Sequence, residues 1–327
     1  CKDPTYLGMG ETYGWIPDHD TTEQKIDQTA ADKIVTVSYE SKNIGYEKRK
    51  LLYKTNIGTE ANAKTKISLA FRLKHLFGFL QDFNRVIFNT KIELVLNRSI
   101  DDKLVFYGSE DPTAKLEIKT LELHVYEITL EVGSEIRLLE RLKSGNPIYV
   151  DYLERISGQE NLAEGTSFSV NIATLNYLPR FIFIGFKDPN MDYKKNNSLF
   201  LSKGLKSIQL RLNTTYYPIN PIEVNNSNFP FFPYQEYTKI CRNFQSKSGA
   251  PQLSYSDWRT YYPIFCFDVS NTDAILDISN INVTVIIRKE SAFKPKMFSL
   301  ILQEAKIKMK CNGGQITVIE PVKGGRS

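Results

Sequence analysis

Residues 76–99 read LFGFLQDFNRVIFNTKIELVLNRS, and residues 183–215 repeat their main features in the same order, beginning with FIGF and closing with QLRLNTT. The glycines of the two copies, Gly78 and Gly185, are 107 positions apart, and the asparagines that close the copies are 116 apart. An offset this constant predicts two copies of one strand-rich topology, each near the usual size of a domain.

The chain around these stretches consists of short runs rich in β-branched and aromatic residues, separated by polar turns. That spacing predicts the antiparallel strands of β-sandwiches and not alternating strands and helices. Strands are predicted at 34–39, 66–73, 86–96, 104–107 and 115–130 in a first block, and at 148–153, 166–175, 180–187, 205–213, 263–269, 281–288, 297–309 and 315–319 in a second.

Three helices are predicted: one before the first strand block, one between the two blocks and one within the second block. Thr22 to Ala31 reads as a short helix in an N-terminal arm, and Ser134 can cap a helix that Gly145 ends. Pro233 to Phe244 carries a one-sided apolar pattern and interrupts the second block as an insertion. The predicted organisation is an arm at 1–32, a first sandwich at 33–133, a linker helix at 134–145, a second sandwich at 146–312 and a tail at 313–327.

Composition places the chain among ordinary folded proteins. Its 327 residues carry 42 basic and 37 acidic side chains, a formal charge of +5 that predicts at most non-specific contact with nucleic acid. No run approaches the roughly 18 apolar residues of a membrane span, so none is predicted. The opening residues resemble neither an initiator methionine nor a signal peptide, so the chain is expected to be part of a longer product.

The sequence offers little for catalysis or metal binding. The four cysteines, Cys1, Cys241, Cys266 and Cys311, are widely spaced and are interpreted as free thiols. The three histidines, His19, His75 and His124, form no ligand pair of the kind a metal-binding barrel would need. Nucleophile and phosphate-binding motifs are missing from the sequence. We therefore predict no enzyme activity, no cofactor and no metal.

Proline-rich aromatic segments are the candidate contact sites. Prolines make these segments look too rigid for regular sheet, and their rings would either pack over the chain's own core or contact neighbouring subunits, where Tyr and Phe are enriched. The candidate contact residues are Tyr216, Tyr217, Phe231, Phe232, Tyr261 and Tyr262. Near the C-terminus, Gly324 and Gly325 lie in a stretch predicted to be an exposed tail, and a proteolytic processing site there is the alternative.

Several segments together resemble Polinton (Maverick)-type and virophage-type major capsid proteins. The segments are 72–107 (RLKHLFGFLQDFNRVIFNTKIELVLNRSIDDKLVFY), 179–186 (PRFIFIGF), 205–218 (LKSIQLRLNTTYYP) and 265–270 (FCFDVS), and the resemblance covers about 66–310. It implies an all-β double jelly roll, meaning two eight-stranded antiparallel sandwiches side by side with a few short helices. The chain is short for that family, so its outer loops must be small.

The resemblance also implies how such a subunit works. It would form homotrimers of pseudo-hexagonal outline, contact neighbouring capsomers and penton and minor capsid proteins, and reside in the virion after assembly in the host cell. A viral cysteine protease that cuts at Gly-Gly would be a partner for Gly324 and Gly325. Two alternatives of other classes remain open: a carbohydrate-binding or carbohydrate-active β-sandwich, and a secreted adhesion module.

Overall fold

The computed structural model describes residues 16–28, 35–54, 67–83, 92–98, 102, 105, 115–224, 231–244, 253–270, 280–312 and 315–322. The chain divides into two compact units. One, the N-terminal unit, comprises residues 1–72 and 234–263, and the other, the jelly-roll unit, comprises 73–233 and 264–327. Neither unit coincides with a domain predicted from the sequence, and the predicted domain boundaries stay predictions.

The N-terminal unit combines a hairpin with helices from two distant parts of the chain. Strands β1 (Asp20–Gln28) and β2 (Val35–Asn43) pair antiparallel over their whole lengths, and helix α1 (Ile44–Lys54) follows directly. The remaining described residues of this unit include helix α5 (Tyr255–Tyr261). Tyr234, Tyr237, Tyr255 and Trp258 form a cluster of ring contacts, with Tyr234 and Trp258 centroids 5.7 Å apart.

The described jelly-roll unit begins with a 3₁₀ helix (Leu73–His75), α2 (Gly78–Asp82) and α3 (Val132–Lys143). Its strands are β3 (Ile148–Asn161), β4 (Ser167–Leu175), β5 (Pro179–Lys187), β6 (Leu205–Leu212), β7 (Thr215–Glu223), β8 (Phe265–Asp268), β9 (Ile281–Lys289), β10 (Lys296–Asn312) and β11 (Gln315–Val322). Helix α4 (Phe231–Phe244) lies between β7 and β8, and its residues from Tyr234 onward belong to the N-terminal unit.

Eight of these strands form two antiparallel sheets in a wound order. One sheet runs β3-β10-β5-β8, and the other runs β4-β9-β6-β7. The long strand β10 pairs with β3 along one edge, and along its other edge first with β5 and then with β11. Because the chain passes back and forth between the two sheets, this is the double Greek-key arrangement of a jelly roll.

The core of the jelly-roll unit lies between the two sheets. Alternate residues of a strand point to one face, so Ile182, Ile184 and Phe186 of β5 face Ile208, Leu210 and Leu212 of β6 as fully buried layers. Burying each such side chain contributes roughly 1.5–3 kcal/mol before the entropy cost of folding. Other core residues of this unit with at most 1% exposure are Phe265, Val269, Val283, Val285, Ile287, Met297 and Ile301.

The second strand block is largely as predicted. Every run predicted there overlaps an observed strand, and the helices predicted after 134 and over Pro233 to Phe244 are α3 and α4. Two details were wrong. Glu131, not Ser134, occupies the N-cap of α3. The segment around Pro218, interpreted as too rigid for sheet, lies in β7, because β7 is an edge strand and its outer edge needs no N–H donor.

The first strand block differs more from the prediction. Strand 34–39 is confirmed by β2, but the helix predicted over Thr22 to Ala31 is wrong, since β1 pairs with β2 there. The predicted strands 66–73 and 115–130 are not strands in the described residues, nor is the described end of 86–96, and most of 104–107 lies outside them. Residues 115–131 have no regular secondary structure, and their apolar side chains include Val125, which is 75% exposed.

The two copies of the sequence repeat, 76–99 and 183–215, therefore differ in local structure. Gly185 lies within β5, whereas Gly78 begins helix α2. The QLRLN stretch ends β6 at Leu212, whereas residues 92–98 of the first copy have no strand partner among the described residues. The common letters predict strands in both places, but strand formation also requires a neighbouring strand to pair with the backbone.

Candidate functional site

Three of the predicted contact aromatics lie on the surface. Tyr216 of β7 is 43% exposed, and Phe231 and Phe232 at the start of α4 are 65% and 45% exposed. Exposure of an apolar ring to water is unfavourable in free energy. Covering rings that are this exposed with another protein surface removes that cost. Tyr217, the next residue of β7, is partly buried.

The other two predicted contact residues belong to the N-terminal unit. Tyr261 is partly buried and stacks obliquely on Tyr262, with 6.2 Å between ring centroids. Tyr262 is only 8% exposed. All six residues stay predictions as subunit contacts, but the structure divides them into an exposed set and a set that helps to pack a single chain.

Tyr262 takes part in a buried polar cluster around Asp18. The Asp18 backbone N–H donates to the Tyr262 hydroxyl at 2.9 Å, and that hydroxyl donates to the Asp18 carboxylate at 3.1 Å. Asn43 donates to the same carboxylate at 3.0 Å, and Arg49 forms an ion pair with it. Asp18 is fully buried, and removing water from a carboxylate costs much free energy. The hydrogen bonds and the ion pair offset this cost because they replace the bonds to water.

Burial raises the pKa of the Tyr262 hydroxyl to about 12, and the neighbouring Asp18 carboxylate acts in the same direction. A phenolate beside a buried carboxylate would place two negative charges together, which explains that direction. The hydroxyl therefore stays protonated and remains a donor. This cluster joins residues from the start of the chain to the insertion between β7 and β8, so its role is structural.

His19 extends the cluster toward helix α5. Its Nδ1 lies 2.8 Å from the Asp257 carboxylate, which also accepts a hydrogen bond of 2.6 Å from Ser254. A serine, an aspartate and a histidine thus lie together, but the serine hydroxyl is bonded to the carboxylate and not to the imidazole. A catalytic triad requires the imidazole to accept the proton of the nucleophile, so this geometry does not support hydrolysis.

The other histidines are separate from this cluster. His75 lies in the 3₁₀ helix, and its carbonyl accepts a hydrogen bond from Arg155. His124 is exposed, with Nε2 3.5 Å from a Glu122 carboxylate oxygen. Within the described ranges no three His, Cys, Asp or Glu side chains come together as a metal site. Cys241 and Cys266 are free thiols, as predicted.

Two further predictions concern the C-terminal segment and membrane spans. Gly324 and Gly325 lie outside the described residues, and the described chain closest to them is β11. No helix in the described part of the chain is long and apolar enough to cross a membrane.

Comparisons with known proteins place the fold in a family. The double jelly roll-like domain family matches residues 33–304, which is most of the chain and includes the first predicted sandwich and all but the last eight residues of the second. The all-β double jelly roll predicted from the sequence is thereby confirmed at the level of fold class. A search of curated proteins gave no match.

Solved structures that resemble the chain are of a virophage, of a virus capsid and of a capsid protein. They include the Sputnik virophage (13% identity, TM-score 0.34, covering 54% of this chain and 39% of that one) and the PBCV-1 virus capsid (9%, 0.36, 58% and 55%). The mavirus major capsid protein is a third (8%, 0.29, 56% and 44%). The chain thus spans between 39% and 55% of the length of these three solved chains. All three TM-scores are below 0.5, so these similarities carry no conclusion.

Proposed function

The chain belongs to the double jelly roll-like domain family, and from that membership we propose that it is a major capsid protein, a subunit of an icosahedral shell. The observation that carries the proposal is the family match over residues 33–304, together with the wound eight-stranded sandwich of β3 to β10. The segments that resemble Polinton-type and virophage-type capsid proteins fall within the same range. Its function is then assembly geometry, without a catalytic step.

The subunit is proposed to form homotrimers whose outline is pseudo-hexagonal, since the resemblance to double jelly-roll capsid proteins implies two sandwiches in each chain. Exposed Phe231, Phe232 and Tyr216 are proposed to contact neighbouring subunits, because burying large rings that are exposed in one chain favours association. Tyr261 and Tyr262 are proposed to act only indirectly, by fixing the insertion. Neighbouring capsomers, penton and minor capsid proteins are the further proposed partners, and the virion is the proposed location.

Electron microscopy and light scattering of the purified full chain test the trimer. The expected particle has three-fold symmetry, a hexagonal outline and three times the chain mass of 37.5 kDa. A monomer that stays monodisperse at the highest soluble concentration would contradict the proposal. Binding to a glycan array by that monomer would support the carbohydrate-binding alternative instead.

A processing site at Gly324 and Gly325 is the second part of the proposal. A viral cysteine protease would cut this segment, which directly follows β11. Intact-mass spectrometry of assembled particles is expected to show a chain that ends at one of these glycines. Particles in which the chain retains Arg326 and Ser327 would contradict processing while leaving the capsid role intact.

A further inference from the structure

Sheet edges are the places where another chain can add a strand, because their backbone N–H and C=O groups lack a partner. Three edges of the jelly-roll sheets carry features that discourage this. Strand β7 contains Pro218 and Pro221, β4 has a register shift against β9 between Asn171 and Ala173, and β8 is only four residues long.

Strand β3 is different. It runs for 14 residues, from Ile148 to Asn161, and pairs with β10 without a register shift. It contains no proline, β10 pairs with one of its edges, and no strand in the described part of the chain pairs with the other. Of the eight jelly-roll strands it is therefore the one whose own sequence does least to prevent strand addition.

A separate segment of the chain covers the open edge of β3 at its centre. This segment, the edge cap, comprises the 3₁₀ helix and α2, residues 73–82. The Leu153 N–H, which points away from β10, donates to the Asp82 carboxylate at 2.9 Å. A carboxylate is a strong acceptor and has no N–H to offer, so it satisfies the strand without extending the sheet.

Gly78 lets the edge cap approach the strand closely. A Cβ built at Gly78 would lie 1.7 Å from the Leu153 carbonyl oxygen, closer than any side chain allows. Phe79, which follows Gly78, packs edge to face against Tyr152, which precedes Leu153, with 5.7 Å between the ring centroids. The outward N–H of Leu153 is thus bonded, and its outward carbonyl is covered by backbone.

Arg155 holds the two ends of the edge cap to the same strand. Its guanidinium donates to the carbonyls of Lys74 and His75 and to the side-chain oxygen of Gln81. Burial lowers the pKa of this guanidinium, while the nearby Asp82 carboxylate opposes that shift. A partly buried arginine with three acceptors fixes a short segment far better than one exposed ion pair could.

We propose that residues 73–82 are a built-in guard that prevents a second copy of this chain from pairing with β3. Two β3 strands related by a two-fold axis could pair antiparallel, because each presents the same unbroken edge. The edge cap occupies that edge in the single chain. Two copies can then associate through side-chain surfaces but not through backbone pairing of their β3 strands. This inference does not depend on the proposed capsid role.

The test compares Gly78→Ala with Gly133→Ala in the full chain. The added methyl at position 78 meets the Leu153 carbonyl, whereas a Cβ at Gly133 has no heavy atom within 4 Å. Amide hydrogen exchange measures the protection of residues 152–156, and light scattering over a concentration series measures self-association. We expect residues 152–156 of Gly78→Ala to exchange at least about tenfold faster, and this variant to form larger assemblies than the wild type and Gly133→Ala form at the same concentration.

Two results would overturn the proposal. One is unchanged exchange in Gly78→Ala, which would mean that the edge cap does not protect β3. The other is faster exchange with no added self-association, which would mean that the open edge needs no guard. If circular dichroism shows that Gly78→Ala does not fold, Asp82→Ala replaces it, since that variant removes the acceptor of the Leu153 N–H without adding a side chain against β3. Trimers seen equally in all variants would bear on the capsid proposal alone.

Discussion

Lys289, at the end of β9, is a charged side chain with no exposed surface. Its ammonium donates to the Gly165 carbonyl at 2.8 Å and lies 4.9 Å from the centroid of the Phe168 ring. Burial lowers the pKa of Lys289, and Lys294 adds to that shift while Glu164 opposes it. The side chain therefore fills space at the end of the sandwich as well as bonding the loop before β4.

Two substitutions separate packing from charge at this position. Lys289→Ala should lower the free energy of unfolding by about 2–5 kcal/mol, because it leaves a cavity at the end of the sandwich. Lys289→Met keeps the volume and removes the cost of burying a charge, so a change within about 1 kcal/mol is expected. Urea unfolding followed by circular dichroism measures both. Equal losses in the two variants would show that the ammonium matters more than the packing.

Tyr262 predicts a stability change at high pH. Its pKa is about 12 in the folded chain and about 10 in the unfolded one. Below pH 10 both states keep the proton, so stability is fully present. Between pH 10 and 12 the unfolded chain loses the proton while the folded chain retains it, and stability falls as the pH rises.

The measurement is the pH dependence of unfolding for the wild type and Tyr262→Phe. The phenylalanine variant should be less stable at neutral pH, because the Asp18 carboxylate and N–H lose a partner, and its stability should change less between pH 10 and 12. A variant whose stability falls as steeply as that of the wild type would assign the effect to other groups.

At the scale of elements, helix α5 is short and depends on its N-cap. Ser254 has extended backbone geometry, and its hydroxyl accepts a hydrogen bond of 3.1 Å from the Asp257 N–H. The same hydroxyl donates to the Asp257 carboxylate that His19 contacts. The cap therefore supports both the helix and the contact between the insertion and the start of the chain.

Ser254→Ala should cost about 1 kcal/mol of stability, since it leaves an N–H of the first turn without its acceptor. Ser256→Ala is the matched control, because Ser256 is exposed in the same helix and its replacement should change stability by less than about 0.5 kcal/mol. Thermal unfolding of both variants measures their loss of stability relative to the wild type. Indistinguishable variants would mean that ring packing around Trp258, and not the cap, maintains the helix.

At this scale the pairing of strands explains why strand prediction succeeded in the second block and failed in much of the first. In β5 and β9 apolar residues face the core and the strands find partners, so pattern and structure agree. In 115–131 the same kind of pattern is present, but the described chain supplies no neighbouring strand. Residue pattern reports the preference of a segment, while pairing depends on residues far away in sequence.

At the scale of the whole molecule, the exposed rings at the start of α4 are the clearest candidates for association. The double variant Phe231→Ser, Phe232→Ser should raise the concentration needed for trimer formation at least about tenfold, because central aromatic contacts dominate most interfaces. The fold of the single chain should not change, since both side chains are largely exposed. Sedimentation velocity over a concentration series provides the measurement.

Tyr149→Ser serves as the control for that experiment. Tyr149 is 44% exposed on β3, carries a similar ring and was not predicted as a contact residue. Its replacement should leave trimer formation unchanged. If Tyr149→Ser weakens the trimer and the double phenylalanine variant does not, the subunit contacts lie on the β3 side of the molecule.

The amino-acid sequence by itself determined the all-β class, because the period of the apolar residues and the places of Gly and Pro are local properties of the chain. The double jelly roll followed from the resemblance of several segments to a known family. The sequence also determined the strands of the second block except β7, and helices α3 and α4. Only the tertiary structure decided that Tyr262 is buried against Asp18 and that residues 73–82 cover the open edge of β3. Those contacts join residues about 70 to 240 positions apart, and no local pattern encodes which distant surface a segment will meet.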